Sequence, residues 1–405
     1  MSHPLPRRAR RFLVRVFAEA RRRSPDGDVV SGHHNINRIA PLRQPLAFLL
    51  GQRSGRLLAK FRTPFPTVEV VPRIWPSEAR VLRALEGRVS GVPHCLADFG
   101  KWSLHQYIHG QALADLVPDG PIGGARLLAL AEFFAGLADV PREVLPDLPP
   151  DWPGHTDSRG FLEWIARFAA EKVHQANLPR FGRLFEAVGI PADAIGRFMS
   201  GVPDLTPRPF VLLHTDVHRA NVVVVPTPHG ERLSVIDWEL CLFGDPLHDL
   251  ATHLVRMNYD KTEQELMVGL WADAMRRAGR ADLCAGMETD LSVYLGFEYA
   301  QSVFPDVMRA ALFLPDRPGD GDLAHAAERI RRALQRAREP LRLVDEGWDE
   351  RAVVDALREW DAQGRGLRPA PADDRTTGEK DDHRAGEGRG PAWLTTRVTF
   401  RRRGG

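Results

Sequence analysis

The sequence predicts an α+β chain in two unequal parts: a small antiparallel sheet carrying one helix, then a larger, mainly helical part. Three observations predict it. Short apolar runs punctuated by Gly and Pro recur between Val29 and Ile108, with a single helix-spaced stretch among them. Beyond Gln111 helical spacing dominates. The helices are interrupted once, between Val211 and Leu250, where acid, amide and histidine side chains lie between apolar runs.

Composition supports a folded chain: 405 residues of which 43% are hydrophobic suffice for a sizeable core and two or three domains. A net charge of +2 gives no global field that favours nucleic acid or an anionic membrane. Cys95, Cys241 and Cys284 are odd in number and never form a CxxC pair, which argues against a disulfide framework or a zinc site. The apolar windows at 46–50 and 127–135 fall short of the roughly 20 residues that span a bilayer. The basic N-terminus is broken by Arg15 and Glu19 and lacks the continuous apolar core of a secretory signal. A cytoplasmic protein with no membrane span and no nucleic-acid partner is expected.

Taken in order, residues 7–23 place Phe12, Leu13, Val16, Phe17 and Ala20 on one face of a basic helix, expected to dock on the domain. Residues 1–28 form a basic extension. Val29 and Val30, the polar tip 31–35 and residues 36–42 read as a hairpin. Residues 57–61 and 68–75 read as strands separated by Pro64 and Pro66. Ser77 is a fitting N-cap for a helix over 77–87, with Glu78 in its first turn and Ala79, Leu82 and Leu85 at helical spacing. Residues 102–108 give one more strand, closing a sheet-rich part over 29–108. The helical part, 109–363, has helices expected at 124–138, 158–177, 178–188, 192–199, 246–256, 263–278, 281–308, 323–337 and 350–363. Residues 364–405 are rich in Gly, Pro and charge and are expected to be disordered, with a lone strand-like segment at 393–403.

Within the central stretch, residues 211–213 read as a buried strand that delivers His214, Thr215, Asp216, His218, Arg219 and Asn221. Strands at 222–225 and 233–236, joined by a turn at 226–230, would bring Asp216, Asn221 and Asp237 together. An Asn oxygen and an Asp carboxylate are hard ligands suited to magnesium. A carboxylate that orients a hydroxyl, with a cation on the phosphates, is the equipment of phosphoryl transfer. His214 and His218 are four apart but lie in a loop between strands, so His214 is read as a brace. Asp245 before Pro246 reads as an N-cap, and Asp249 as a buried partner of the loop.

The run His214-Thr215-Asp216-Val217-His218-Arg219-Ala220-Asn221, with Ile236-Asp237-Trp238-Glu239 and Gly244-Asp245-Pro246-Leu247-His248-Asp249-Leu250-Ala251, resembles the aminoglycoside phosphotransferase and choline kinase-like family. The resemblance extends over roughly residues 29–345 and is sharp in this centre. It implies a protein-kinase-like, two-lobed fold with nucleotide between the sheet-rich N-lobe and the helical C-lobe. It also implies Asp216 as catalytic base, Asn221 and Asp237 as Mg2+ ligands, and ATP or GTP as co-substrate. Thr215 stands where the family more commonly has glycine.

The N-lobe pattern departs further. The hairpin tip around Gly32 and His34, expected to cover the phosphates, carries one glycine. With few lysines in the chain, Arg73 paired with Glu78 is the preferred phosphate cation and Lys60 the alternative. Gln106 to Ile108 would offer backbone groups to the base. For the acceptor, a hydroxylated small molecule, Glu239, Glu298 and Asp306 with Trp238 and Tyr299 are candidates. The rival reading is a pseudokinase, a nucleotide-binding or regulatory module without transfer, favoured by Arg73 and the glycine-poor hairpin.

Overall fold

A computed structural model describes residues 6–24, 28–31, 35–52, 58–64, 71–344 and 348–364. Gly32 and His34, the first part of the expected strand at 68–75 and residues 365–405, with the segment 393–403, lie outside the described residues.

The chain opens with α1 (Arg7–Arg23), followed by β1 (Asp28–Ser31), β2 (Asn35–Pro41), α2 (Leu46–Leu49), β3 (Leu58–Pro64), α3 (Glu78–Leu85), β4 (Cys95–Asp98) and β5 (Ser103–Gln106). The strands form one antiparallel sheet in the order β1-β2-β3-β5-β4. Residues 71–75 are not a strand, contrary to expectation. Pro72 cannot donate to a ladder, and Trp75 is drawn into the helical core, its indole N–H donating to Asp147 O at 3.1 Å. At this edge of the sheet β5 pairs with β4, a strand not expected from the sequence.

Helix α1 docks as expected, on a face rotated so that Leu13 and Phe17 of the expected stripe still pack on the small core. Val14 and Ala18 are buried, whereas Phe12 is 66% exposed. The rotation follows from the arginines: Arg10 Nε donates to Leu49 O at 2.8 Å and Arg21 Nε to Pro41 O at 3.0 Å, while Arg22 lies over the Trp102 ring. Val14 and Ala18 thereby meet Ala40, Leu42, Leu46, Ala59, Phe61 and Leu104 in the small core behind the sheet.

The helical part contains β6 (Gln111–Ala112), α4 (Leu113–Leu116), α5 (Gly124–Ala138), α6 (Ser158–Phe168), α7 (Leu178–Ala187), α8 (Ala194–Ser200), β7 (Val211–Leu213), β8 (Val222–Thr227), β9 (Gly230–Val235) and β10 (Leu242–Gly244). Helices α9 (Pro246–Met257), α10 (Lys261–Arg277), α11 (Met287–Leu312), α12 (Asp320–Leu341) and α13 (Glu350–Ala362) complete it. The expected helix at 158–177 continues past Phe168 with changed pitch, as a π turn over Ala169–His174 and a 3-10 turn over Gln175–Asn177. Strands β8 and β9 form the expected hairpin, flanked by β6, while β7 pairs with β10. Gly110 fits here because a Cβ would stand 2.4 Å from Val224 O, so the link between the two parts runs directly against β8. Helix α3 belongs to the sheet part by sequence, yet Val81, Leu82 and Leu85 pack into the core of the helical part. That packing fixes Glu78 relative to the central stretch. Among the described residues no helix is long and apolar enough to cross a membrane.

Candidate active site

The loop after β7 is held by its backbone. Asp249, buried on α9, accepts from His214 N–H at 2.8 Å and Thr215 N–H at 2.7 Å, one on each carboxylate oxygen. Thr215 has φ 59, a left-handed conformation that disfavours β-branched residues. Its hydroxyl compensates by donating to Leu240 O at 2.6 Å. Arg219 donates to Met257 O, Val117 O and Gly120 O, which ties the loop to the ends of α9 and α4. His253 on α9 bonds Val217 O at 2.9 Å, and burial pushes it down to about 4, so the neutral ring donates from Nδ1 and accepts at Nε2 from Tyr259. His214 is likewise pushed down to about 4 by burial, and its Nδ1 accepts from Asp216 N–H at 3.2 Å. A neutral imidazole bracing the loop is the role its sequence position implied.

The Asp216 carboxylate faces three partners. Asn221 Nδ2 donates to Asp216 Oδ2 at 2.8 Å and to Asp216 O at 3.0 Å, Arg256 of α9 donates to Oδ1, and His218 Nε2 lies 3.6 Å from Oδ1. Burial alone would raise this carboxyl, but the Arg256 guanidinium and then His218 hold it well below the usual carboxylate range. Arg256 is steadied in turn by Glu298 Oε1 at 3.2 Å. Both hydrogen bonds of the Asn221 side chain use its nitrogen, so Oδ1 makes none among the described residues.

Asp237 follows β9 with φ 69, and Ile236 N–H donates to Asn221 O at 2.9 Å, so the two polar segments are stitched together. Its carboxylate meets Arg62 of β3, whose NH2 lies 2.6 Å from Asp237 Oδ1 and 3.1 Å from Glu239 Oε2, with Nε 2.8 Å from Glu78 Oε2. Burial works against the Asp237 anion, yet Arg62 and Lys60 bring its pKa down. Glu78 Oε1 also accepts Trp238 N–H at 2.9 Å. One buried guanidinium therefore joins the sheet, α3 and the segment after β9.

The expected pair of Arg73 and Glu78 is not formed. Arg73 lies 3.4 Å from Glu239, and Glu78 is taken by Arg62. The reason is the two-residue alternation of β3: Ala59 and Phe61 turn into the small core, so Lys60 and Arg62 turn toward the cleft. That alternation was visible in the sequence, and it was the signal that could have found Arg62. Lys60 is half-buried, its pKa is lowered by burial and by Arg62, and it forms no ion pair among the described residues. Gln106 N–H donates to His94 O at 2.9 Å and Tyr107 N–H to Leu58 O at 3.2 Å. Ile108 follows, half-buried, where the chain leaves the sheet.

The candidate acceptor residues are differently placed. Trp238 is fully buried, edge-on to His214 and Phe133, with its indole N–H on Val235 O at 2.9 Å. It belongs to the core and presents nothing to an acceptor. Glu239 is spent on Arg62 and Arg73, and Glu298 on Arg256 and Thr252. Asp245 caps α9 by accepting Leu247 N–H and forms a fully buried pair with Arg208 at 2.7 Å, which also grips Asp290 at 2.7 Å.

Among the described residues no three His, Cys, Asp or Glu side chains converge as a metal cluster. A cation would rest on Asp237 and Asn221 Oδ1, with outside oxygens completing its shell. That donor set suits magnesium, which keeps several waters and phosphate oxygens. Residues 36–284, more than half of the chain, match the model of a phosphotransferase enzyme family. Among solved structures, the ethanolamine kinase of Plasmodium vivax is 12% identical, with 82% of this chain and 86% of that chain covered and a TM-score of 0.52. A choline/ethanolamine kinase family protein from Mesorhizobium loti is 16% identical over 87% and 98% of the two chains, with a TM-score of 0.47. An ADP-bound aminoglycoside phosphotransferase, APH(2'')-Ib, is 13% identical over 81% and 98%, with a TM-score of 0.45. No curated protein matches in sequence. The architecture is the two-lobed, protein-kinase-like α+β fold.

Proposed function

Because the chain belongs to the phosphotransferase enzyme family, we propose that it transfers the γ-phosphoryl group of ATP or GTP to a hydroxyl of a small molecule. The observation that carries this reading is the linked set of Asp216, Asn221 and Asp237, with Arg62 joining Asp237 to Glu78. In this reading Asp216 orients the acceptor hydroxyl, and its proton passes to the carboxylate. The hydroxyl oxygen bonds to the γ-phosphorus as the bond to the bridging oxygen breaks, and the nucleoside diphosphate leaves with that electron pair. A strongly acidic Asp216 suits a loose transition state, which asks for alignment more than for proton abstraction. Asn221 and Asp237 would hold Mg2+, which neutralises phosphate charge when bound.

Lys60, which forms no ion pair among the described residues, is the cation for the phosphates, whereas Arg62 takes the pairing role with Glu78. Gln106 to Ile108 would border the base. The second reading, a nucleotide-binding module without transfer, is favoured by the ion pairs that engage both Asp216 and Asp237. Asp216→Asn separates them. Transfer predicts that ADP production falls about 100-fold or more while magnesium-nucleotide thermal stabilisation persists. Stabilisation of the unsubstituted protein without ADP production across a screen of hydroxylated small molecules would favour the module. No magnesium-dependent shift with either nucleotide would remove the kinase reading.

A further inference from the structure

On the α11 side of the loop arginines outnumber carboxylates, with Arg256, Arg309, Arg329 and Arg336 beside Glu298 and Asp306. On α11, Glu298, Ser302, Asp306 and Arg309 recur at helical spacing, so one face of that helix carries them outward from Asp216. At the inner end Glu298 holds Arg256, which holds Asp216. Further out, Asp306 Oδ2 is taken by Arg336 of α12 at 3.1 Å, and Oδ1 is the distant partner, at 3.9 Å, of Arg309. Arg329 of α12 lies with its guanidinium 5.5 Å from the Phe313 ring and has no carboxylate partner among the described residues. The carboxylates that could greet a cationic acceptor are thus already neutralised. Arg336, Arg309 and Arg329 are left to share the one Asp306 carboxylate.

Burial, and then Arg256 and Arg329, lower the Arg309 pKa against the opposing pull of Asp306 and Asp216. By geometry, Arg309 stands on the α11 face that leads through Glu298 and Arg256 to Asp216, and the guanidiniums along it repel one another until an anion arrives. Arginine forks are suited to carboxylate and phosphate oxygens.

Resting on the kinase reading, we propose that the acceptor is an anionic alcohol, a hydroxy acid or a phosphorylated polyol. Its anionic group is engaged by Arg309 and Arg329 while its hydroxyl faces Asp216. The transfer balances as in the proposed reaction, and the anionic group is untouched by it.

The test uses the full chain with magnesium and nucleotide. ADP release and thermal stabilisation are measured with gluconate and 6-phosphogluconate, with the neutral polyol sorbitol, and with the cations glucosamine and choline. The expected result is a preference for one or both anions, with the gluconate and phosphogluconate arms telling carboxylate from phosphate recognition. In an Arg309→Gln/Arg329→Gln variant that preference falls by about tenfold or more, mainly through KM, and Arg309→Lys/Arg329→Lys retains part of it. A preference for the cations or for sorbitol, anion binding unchanged in the Gln variant, or no stabilisation by either anion at millimolar concentration would overturn the proposal. A magnesium-nucleotide shift that persists in those cases leaves the kinase reading standing; its absence removes both.

Discussion

Replacing Arg256 by Gln would move the charge state of Asp216 and leave the loop otherwise intact. Arg256 lies against Asp216 on one side and 3.2 Å from Glu298 on the other, and the three side chains are 25%, 14% and 3% exposed in that order. Two unit charges ~4 Å apart at an effective dielectric of ~20 interact by about 4 kcal/mol, or about 3 pH units. The partial exposure of Arg256 and the sharing with Glu298 reduce this to about 2 pH units. With Arg256 present, the depressed Asp216 pKa contributes stability above the unfolded value of about 3.9, lost only as the pH falls through the folded value. In the variant the folded value rises by about 2 pH units but stays below the unfolded one, because His218 still lowers it. The sign is unchanged: the smaller contribution is present above the unfolded value and lost as the pH falls through the folded one. Melting curves at pH 2.5 and 7 therefore show a larger deficit for Arg256→Gln at pH 7, on the order of 3 kcal/mol, and Arg256→Gln/Glu298→Gln recovers part of it. The acid limb of kcat/KM for any accepted substrate moves up by about 2 pH units. An equal deficit at both pH values, with an unmoved acid limb, would refute Arg256 as the group that sets the Asp216 charge.

Arg62→Met leaves Glu78, Asp237 and Glu239 buried or half-buried around an apolar side chain and costs about 3–5 kcal/mol of stability, measured by denaturant unfolding; near-wild-type stability would mean the cluster rearranges freely. Asp249 is pushed up to about 7 by burial, against the two amide bonds that favour its anion, so its contribution to stability is present below the unfolded value and lost as the pH rises through about 7. Asp249→Asn removes that titration and one of the two acceptors for His214 and Thr215; the melting temperature becomes less dependent on pH between 5 and 8, turnover falls, and an unchanged pH dependence would contradict this. Thr215→Ala keeps the left-handed φ but loses the bond to Leu240 O, costing about 1–2 kcal/mol, whereas Thr215→Gly relieves the strain and costs less; thermal melts of the pair give the order.

The legible parts of the molecule are local ones. The helix at 124–138 follows from its own spacing, and its observed bounds coincide with the expected ones. The hairpin of β8 and β9 is written in valines around a turn, and it carries Asn221 and Asp237 to one end whatever surrounds it. The strand expected at 68–75 misled at its described end, 71–75, because periodicity cannot see that Trp75 finds a better burial site against the helical part than beside the sheet. On α1 the apolar spacing gave a face of which Leu13 and Phe17 pack on the core, and arginine bonds to carbonyls of α2 and β2 rotate it toward Val14 and Ala18.

By itself, then, the sequence determined the α+β division, most of the long helices and the polar set on the central stretch, since each depends on side-chain periods within a few residues. Only the tertiary structure decided the charge partners. Arg62 and Asp237 are 175 residues apart, and Arg256 reaches Asp216 across 40. Which cation meets which carboxylate depends on how β3, α3, α9 and α11 pack, because a buried charge takes the partner that packing places within a few ångströms. The same packing turned Trp238 into core and Glu298 into a support for Arg256, left Lys60 and Arg329 without an ion pair among the described residues, and gave Arg309 only the distant Asp306.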